Sequence, residues 1–237
     1  MFAPHRLPGL DAIREAALDA LAVLLPVECA GCGQADRAVC ADCRAALRPE
    51  PSSRRLPDGT PVFSGLDYDG VAREVILAFK EQGRPELTRV LAPALAAAVV
   101  EAGTTLDLLG AEVVAVPASR RARRRRGFDP VPALVSRAGL DRARVFAPAR
   151  QHTAQKTLSV DERAANLDGV FEVTATVTGR RFLLVDDVVT TGATLSAAAA
   201  ALRSAGAEVL AAAVVASTPK LFGPSLAALR EPPVTFP

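Results

Sequence analysis

Residues Phe182 to Thr194 read FLLVDDVVTTGAT, and no other stretch constrains the fold as tightly. Phe182, Leu183, Leu184 and Val185 form a continuous apolar run. Strands covered on both faces read this way, whereas strands with one wet face alternate, so the run predicts a buried parallel strand. Asp186 and Asp187 follow where that strand is expected to end, and open α/β sheets bind ligands outside the carboxyl ends of their strands. Val188 and Val189 lead into a turn of Thr190, Thr191, Gly192, Ala193 and Thr194, after which an alanine-rich helix begins. Hydroxyls, a glycine and the free N–H groups of a helix start form a phosphate cradle. Carboxylates accept hydrogen bonds from sugar hydroxyls, so the whole pattern suits a phosphorylated sugar. A ligand-free strand ending in a charged turn is the plainer reading. The paired aspartates beside a hydroxyl–glycine turn argue against it.

The segment resembles the phosphoribosyl pyrophosphate (PRPP) signature of type I phosphoribosyltransferases, and all thirteen positions fit. A chain of 237 residues, half of them hydrophobic, has room for one such core plus a small appended module. The net charge of +2 gives no global basic field that would imply nucleic acid. Only three of the 28 basic residues, Lys80, Lys156 and Lys220, are lysine. No apolar run approaches the ~20 residues of a membrane span. Asp11, Glu15 and Asp19 precede the short apolar stretch Ala20 to Leu25, unlike the basic start of a signal peptide. A cytoplasmic setting is expected.

The four cysteines, Cys29, Cys32, Cys40 and Cys43, form a C-x2-C-x7-C-x2-C pattern with Gly31 and Gly33 in the first loop. Two such pairs can turn four thiolates toward one tetrahedral centre, which predicts a structural Zn2+ site with no open position. Disulfides are the alternative, although partners so close in sequence bridge with strain and a cytosolic setting keeps thiols reduced. An iron–sulfur cluster is a further rival.

The expected organisation is α/β. Residues 1–48 hold an N-terminal helix (Ala12 to Leu25) and the zinc knuckle, closed by a short helix from Ala41 to Leu47. Residues 49–61 are rich in proline, serine and arginine and read as a linker. Residues 62–218 form the main domain, a parallel sheet flanked by helices. Its helices are expected at Val71 to Glu81, Leu87 to Ala102, Val131 to Ala138 and Thr194 to Ala205. Its strands include Glu112 to Val116, Arg144 to Phe146 and Glu208 to Ala216. Asp129 and Pro130 read as an N-cap and N1 pair. Arg150 to Asn166 has no apolar period and reads as a long loop of the kind that forms active-site lids. Residues 219–237 are a proline-rich tail.

Between Pro117 and Gly127, six of the seven residues 120–126 are arginine. Guanidiniums bind phosphate oxygens bidentately, and the run lies between a strand and a helix, at the ligand edge of a sheet. A solvated basic loop and a nucleic-acid patch are the alternatives. Six arginines exceed what one diphosphate can use.

Taken together, these features resemble the ComF family, phosphoribosyltransferase-like proteins associated with bacterial competence and DNA uptake. The resemblance rests on the four-cysteine knuckle, the Tyr68-x-Gly70 strand end and the helix ending at Lys80. It also rests on the Val-Pro strand with Arg126-Gly127-Phe128, the Leu158-Ser159 to Asn166 segment and the PRPP signature. It implies a type I phosphoribosyltransferase-like sheet with a zinc knuckle, binding PRPP or a nucleoside monophosphate with Mg2+. The PRPP-binding stretch would run through Asp186, Asp187, Val188, Val189, Thr190, Thr191, Gly192, Ala193 and Thr194, with Asp186 and Asp187 the acidic, catalytic pair on the ribose hydroxyls and Thr190 to Thr194 on the 5-phosphate. Ala118, Ser119, Arg120, Arg121 and Arg126 would form the pyrophosphate loop, and Thr153, Gln155, Lys156 and Arg163 the hood. Ala118, Ser119 and Arg120 stand where the family commonly has Leu-His-Pro, and Asp129 and Pro130 where it has Asn-Gln. Neither His5 nor His152 reads as a clear general base, although His152 lies in the hood. Single-stranded DNA and competence-machinery proteins are the partners implied if the fold serves as a binding module rather than an enzyme.

Overall fold

A computed structural model describes residues 27–35, 37–118, 127–147 and 171–218. The expected helix Ala12 to Leu25, the arginines 120–126, the hood residues, both histidines and the tail lie outside the described residues.

The first described element is the short helix α1 (Ala41–Ala46), followed by strands β1 (Ser52–Arg55) and β2 (Pro61–Asp67). Helix α2 (Gly70–Glu81), a 3-10 turn (Pro85–Leu87) and helix α3 (Thr88–Thr105) come next. Then follow β3 (Ala111–Ala115), α4 (Pro130–Arg137) and β4 (Arg142–Ala143). The unit β5 (Arg181–Val189), α5 (Ala193–Ser204) and β6 (Glu208–Ser217) completes the order. These strands form one sheet in the order β1-β2-β6-β5-β3-β4, with β5 near its centre.

The central pairings are all parallel, as the alternation of strands and helices requires. The edge differs. β1 pairs antiparallel with β2, so the sheet is mixed. The segment expected to be a linker therefore supplies an edge strand. Its prolines flank β1 and its Asp58–Gly59 turn closes a hairpin: the Thr60 amide donates to Asp58 at 3.1 Å, and Gly59 takes a φ of 83°. At the other edge β4 ends at Ala143, and Phe146, expected in this strand, makes only an isolated bridge with Val173. Asp129 stands at the N-cap position of α4 with Pro130 next, but its side chain makes no capping bond.

Side chains of β5 alternate between two apolar layers. Phe182 and Leu184 join Val62, Val114, Ala212 and Val214 beneath α5. Leu183 and Val185 join Phe63, Ala211 and Ala213 beneath α3 and α4. Gly65 in β2 shows why α3 lies so close to the sheet: a Cβ there would overlap the Ala94 carbonyl of α3. Pro85–Thr105 is the one span among the described residues long and apolar enough to cross a membrane. Its apolar side chains serve the core, with Leu91, Ala94, Leu95, Ala98 and Ala102 fully buried.

Candidate functional site

Strand β5 runs two residues past the carboxylates, so Asp186 and Asp187 lie within the strand rather than at its end. The Asp187 amide donates to Asp186 Oδ1 at 2.8 Å, and the Val188 amide donates to Asp187 Oδ1 at 2.7 Å. Each carboxylate thus holds the next backbone N–H while the strand continues.

Asp187 is buried at 6% exposure, and a buried carboxylate needs a partner. Lys80 supplies it: Nζ lies 2.9 Å from Asp187 Oδ1. Lys80 sits in the last turn of α2, and the neighbouring Phe79 ring packs on Phe128 with centroids 5.3 Å apart. That contact anchors the end of α2 beside the chain that leaves the arginine run. Burial raises the Asp186 carboxyl well above the usual carboxylate range, and the Asp187 charge adds to the rise. The Asp187 amide and Lys80 oppose it. The two carboxyls are therefore unequal: one ion-paired, the other biased toward its proton.

After Val189, whose side chain is buried in the core, the chain turns at Thr190 and Thr191. Gly192 is the N-cap residue of α5, with φ of 86° and no side-chain cap. A side chain there would be strained and would meet Leu56, which fills the space behind the turn. The Ala193 amide donates to Thr191 Oγ1 at 3.3 Å. Thr190, Thr191 and Thr194 are exposed, while Gly192 is buried. The uncapped start of α5 thus presents N–H groups and hydroxyls on the open side of the turn, the arrangement that receives an anion. From β1, Arg54 Nη2 reaches the carbonyls of Val189 and Thr190, at 3.3 and 2.8 Å.

Of the expected pyrophosphate loop, the structure describes only Ala118. With Pro117, Asp129, Arg144 and Phe146 it borders a cavity of about 310 Å³ between the end of β3 and the chain after β4. Ser119, Arg120, Arg121 and Arg126 lie outside the described residues, as do Thr153, Gln155, Lys156 and Arg163.

The four cysteine sulfurs gather within 4.8 Å of one another. Cys32 Sγ and Cys40 Sγ are 3.7 Å apart, too far for a disulfide and close to the ~3.8 Å edge of a tetrahedron with ~2.3 Å metal–sulfur bonds. Backbone donors shape the cluster: the Cys40 amide points to Cys29 Sγ at 3.3 Å and the Cys43 amide to Cys40 Sγ at 3.4 Å. Burial acts to raise Cys29, but N–H groups of Cys40, Cys32 and Gly31 outweigh it and bring the thiol to about 6. Burial, then the neighbouring thiols, push Cys43 up. Such a set suits Zn2+, whose charge would favour thiolates throughout. The knuckle is also bound to the main domain. Gly31 packs so closely on Cys43 and on Val71 of α2 that a Cβ would overlap both, and Arg84 Nη1 donates to the Glu28 carbonyl at 3.0 Å.

Two residues carry weight here that the sequence pattern left without a role. Lys80 had one available signal, its rarity among arginines at the end of a predicted helix. Arg54 had none, because its segment read as a linker.

The phosphoribosyl transferase domain family matches residues 99–227. A protein named DNA utilization protein YhgH, from Escherichia coli K12, is 30% identical over 195 residues, covering 76% of this chain and 85% of that protein. A protein named Competence protein F, from Haemophilus influenzae, is 30% identical over 189 residues, covering 76% and 80%.

The raised Asp186 carboxyl has a measurable consequence. The folded chain keeps a proton that the unfolded chain releases near pH 4, so this group makes stability fall as pH rises above about 4, until the folded-state value is passed. Asp186→Asn removes that titration. The melting temperature of the variant relative to the unaltered chain should therefore climb with pH across the window. A difference that stays flat with pH contradicts the assignment.

Proposed function

As a ComF-family protein with a phosphoribosyl transferase domain, the chain is one that we propose binds PRPP, or a nucleoside monophosphate, and transfers its phosphoribosyl group. The observation that carries this reading is the pairing, on one strand and turn, of two carboxylates with the uncapped start of α5. Asp186 and Asp187 accept hydrogen bonds from the ribose hydroxyls. The turn Thr190 to Thr194 receives the 5-phosphate through backbone N–H groups and hydroxyls. Lys80 holds Asp187 in place through their ion pair, with the second carboxylate oxygen left to accept. The hard carboxylate oxygens of this pair also suit Mg2+, which when bound neutralises charge on the pyrophosphate leaving group.

A nitrogen nucleophile then displaces pyrophosphate at the anomeric carbon. The protein's contribution is positioning and charge stabilisation. Ser119, Arg120, Arg121 and Arg126 serve the pyrophosphate, and Thr153, Gln155, Lys156 and Arg163 close over it. Incubation with PRPP, Mg2+ and a panel of purines, pyrimidines, glutamine and ammonia tests this. Pyrophosphate should be released with one acceptor and fall at least ~100-fold in Asp186→Ala/Asp187→Ala, the scale on which removed electrostatic groups act. PRPP binding without release for any acceptor would leave a binding protein, not a transferase.

The cysteine knuckle holds one structural Zn2+ in this reading, and a cytoplasmic setting keeps its thiols reduced. Elemental analysis should find one zinc per chain and none in Cys29→Ser/Cys43→Ser. Iron in place of zinc would refute the assignment.

The names of the relatives favour a second role alongside the first. Proteins named for DNA utilization and competence suggest that this chain serves DNA uptake, contacting single-stranded DNA or competence-machinery proteins. Oligonucleotide binding that weakens with salt, and weakens further when Arg123 to Arg126 become alanine, is the expected result. Salt-independent binding, or none, contradicts it.

A further inference from the structure

The phosphate turn is held from behind by a residue outside the signature. Arg54 lies on the edge strand β1, half-buried, and its Nη2 reaches two successive carbonyls, Val189 at 3.3 Å and Thr190 at 2.8 Å. Thr218, just past β6, holds the same two: its amide donates to the Val189 carbonyl at 3.0 Å and its hydroxyl to the Thr190 carbonyl at 3.4 Å. Arg54 Nε is buried with no partner among the described residues, and burial lowers the guanidinium's pKa from its ordinary value. A cation held at such a cost calls for an explanation.

Peptide geometry supplies one. Each carbonyl shares a rigid, planar unit with the next residue's N–H, and in a trans unit the two point in opposite directions. No described peptide bond is cis. Fixing the Val189 carbonyl toward β1 therefore fixes the Thr190 N–H away from it, and fixing the Thr190 carbonyl does the same for the Thr191 N–H. Both N–H groups belong to the turn read above as the 5-phosphate cradle. A positive charge on the carbonyl side also polarises these units and strengthens their N–H groups as donors.

We propose that Arg54 is a positioning residue for the sugar-phosphate site, clamping two carbonyls so that the N–H groups of Thr190 and Thr191 are aimed at the 5-phosphate. The inference rests on the functional reading above and adds a residue that the PRPP signature does not contain. Lysine cannot replace it fully: both bonds come from Nη2, whose two N–H groups are fixed in the guanidinium plane, whereas the ammonium on a shorter, more flexible stem carries no such fixed pair.

The test uses the full chain, with ribose 5-phosphate as the probe, and measures its dissociation constant by calorimetry. Arg54→Met should weaken binding about tenfold or more, the scale of one charge-assisted hydrogen bond, and Arg54→Lys should fall between it and the unaltered protein. Arg55→Met, altering the exposed neighbour that bonds the Gly59 carbonyl, should change nothing. Methylguanidinium added to Arg54→Ala should restore part of the affinity, a response that a purely structural lesion would not give. Should Arg54→Met fail to fold by thermal melting, Arg54→Lys carries the test, and affinity within twofold of the unaltered protein refutes the clamp. Tight binding by the unaltered protein and Arg54→Met alike overturns this inference alone. No binding of ribose 5-phosphate by the unaltered protein overturns the functional reading and this inference with it.

Discussion

A carboxylate buried within an apolar strand is stable only if something compensates it, and the ion pair between Lys80 and Asp187 is that compensation. Much of the architecture around the site serves this contact. Helix α2 must end where Lys80 can reach β5, and its last turn is fixed by Phe79 against Phe128. Its first turn is fixed by the packing of Val71 against Gly31 of the knuckle, which on its other side meets Cys43. The cysteine module and the acidic pair are thus two ends of one mechanical unit joined by α2. This is a reason for a small cysteine module to be appended to such a sheet: it holds the helix that carries the counter-charge.

On the other side of β5, the hairpin of β1 and β2 works in the same way. Leu56 fills the space behind Gly192, while Arg54 and Thr218 hold the carbonyls that precede it. The two halves of the proposed sugar-phosphate site are then braced by different parts of the chain. Carboxylates are set by α2, and the turn at Thr190 and Thr191 is set by β1 and the end of β6. Neither brace lies within the recognisable signature.

This division explains what the sequence made legible. Phe182 to Val185 announced a buried strand because the alternation expected of a one-sided strand is missing, and the helices followed from their apolar periods. Asp186, Asp187 and the turn to Thr194 were readable because their chemistry is contiguous. The role of Lys80 was not, since its partner is 107 positions away and no local pattern records that contact. Residues 49–61 misled for a related reason. Prolines and serines mark a linker by composition, but an edge strand needs only one hydrogen-bonded neighbour, and β2 provides it. The carboxylates proved to lie inside β5 because its pairing with β6 continues to Val189 and Ser217, a contact between distant segments that composition does not reveal.

The central claim is that one strand and one turn hold both ends of a ribose 5-phosphate unit. A crystal structure of the protein grown with PRPP and Mg2+ tests it most directly. The account predicts the 5-phosphate at the start of α5, on the N–H groups of the turn, with the ribose hydroxyls against Asp186 and Asp187 and the Lys80 contact retained. A ligand seated elsewhere, or a phosphate turn left empty at saturating PRPP, would contradict it.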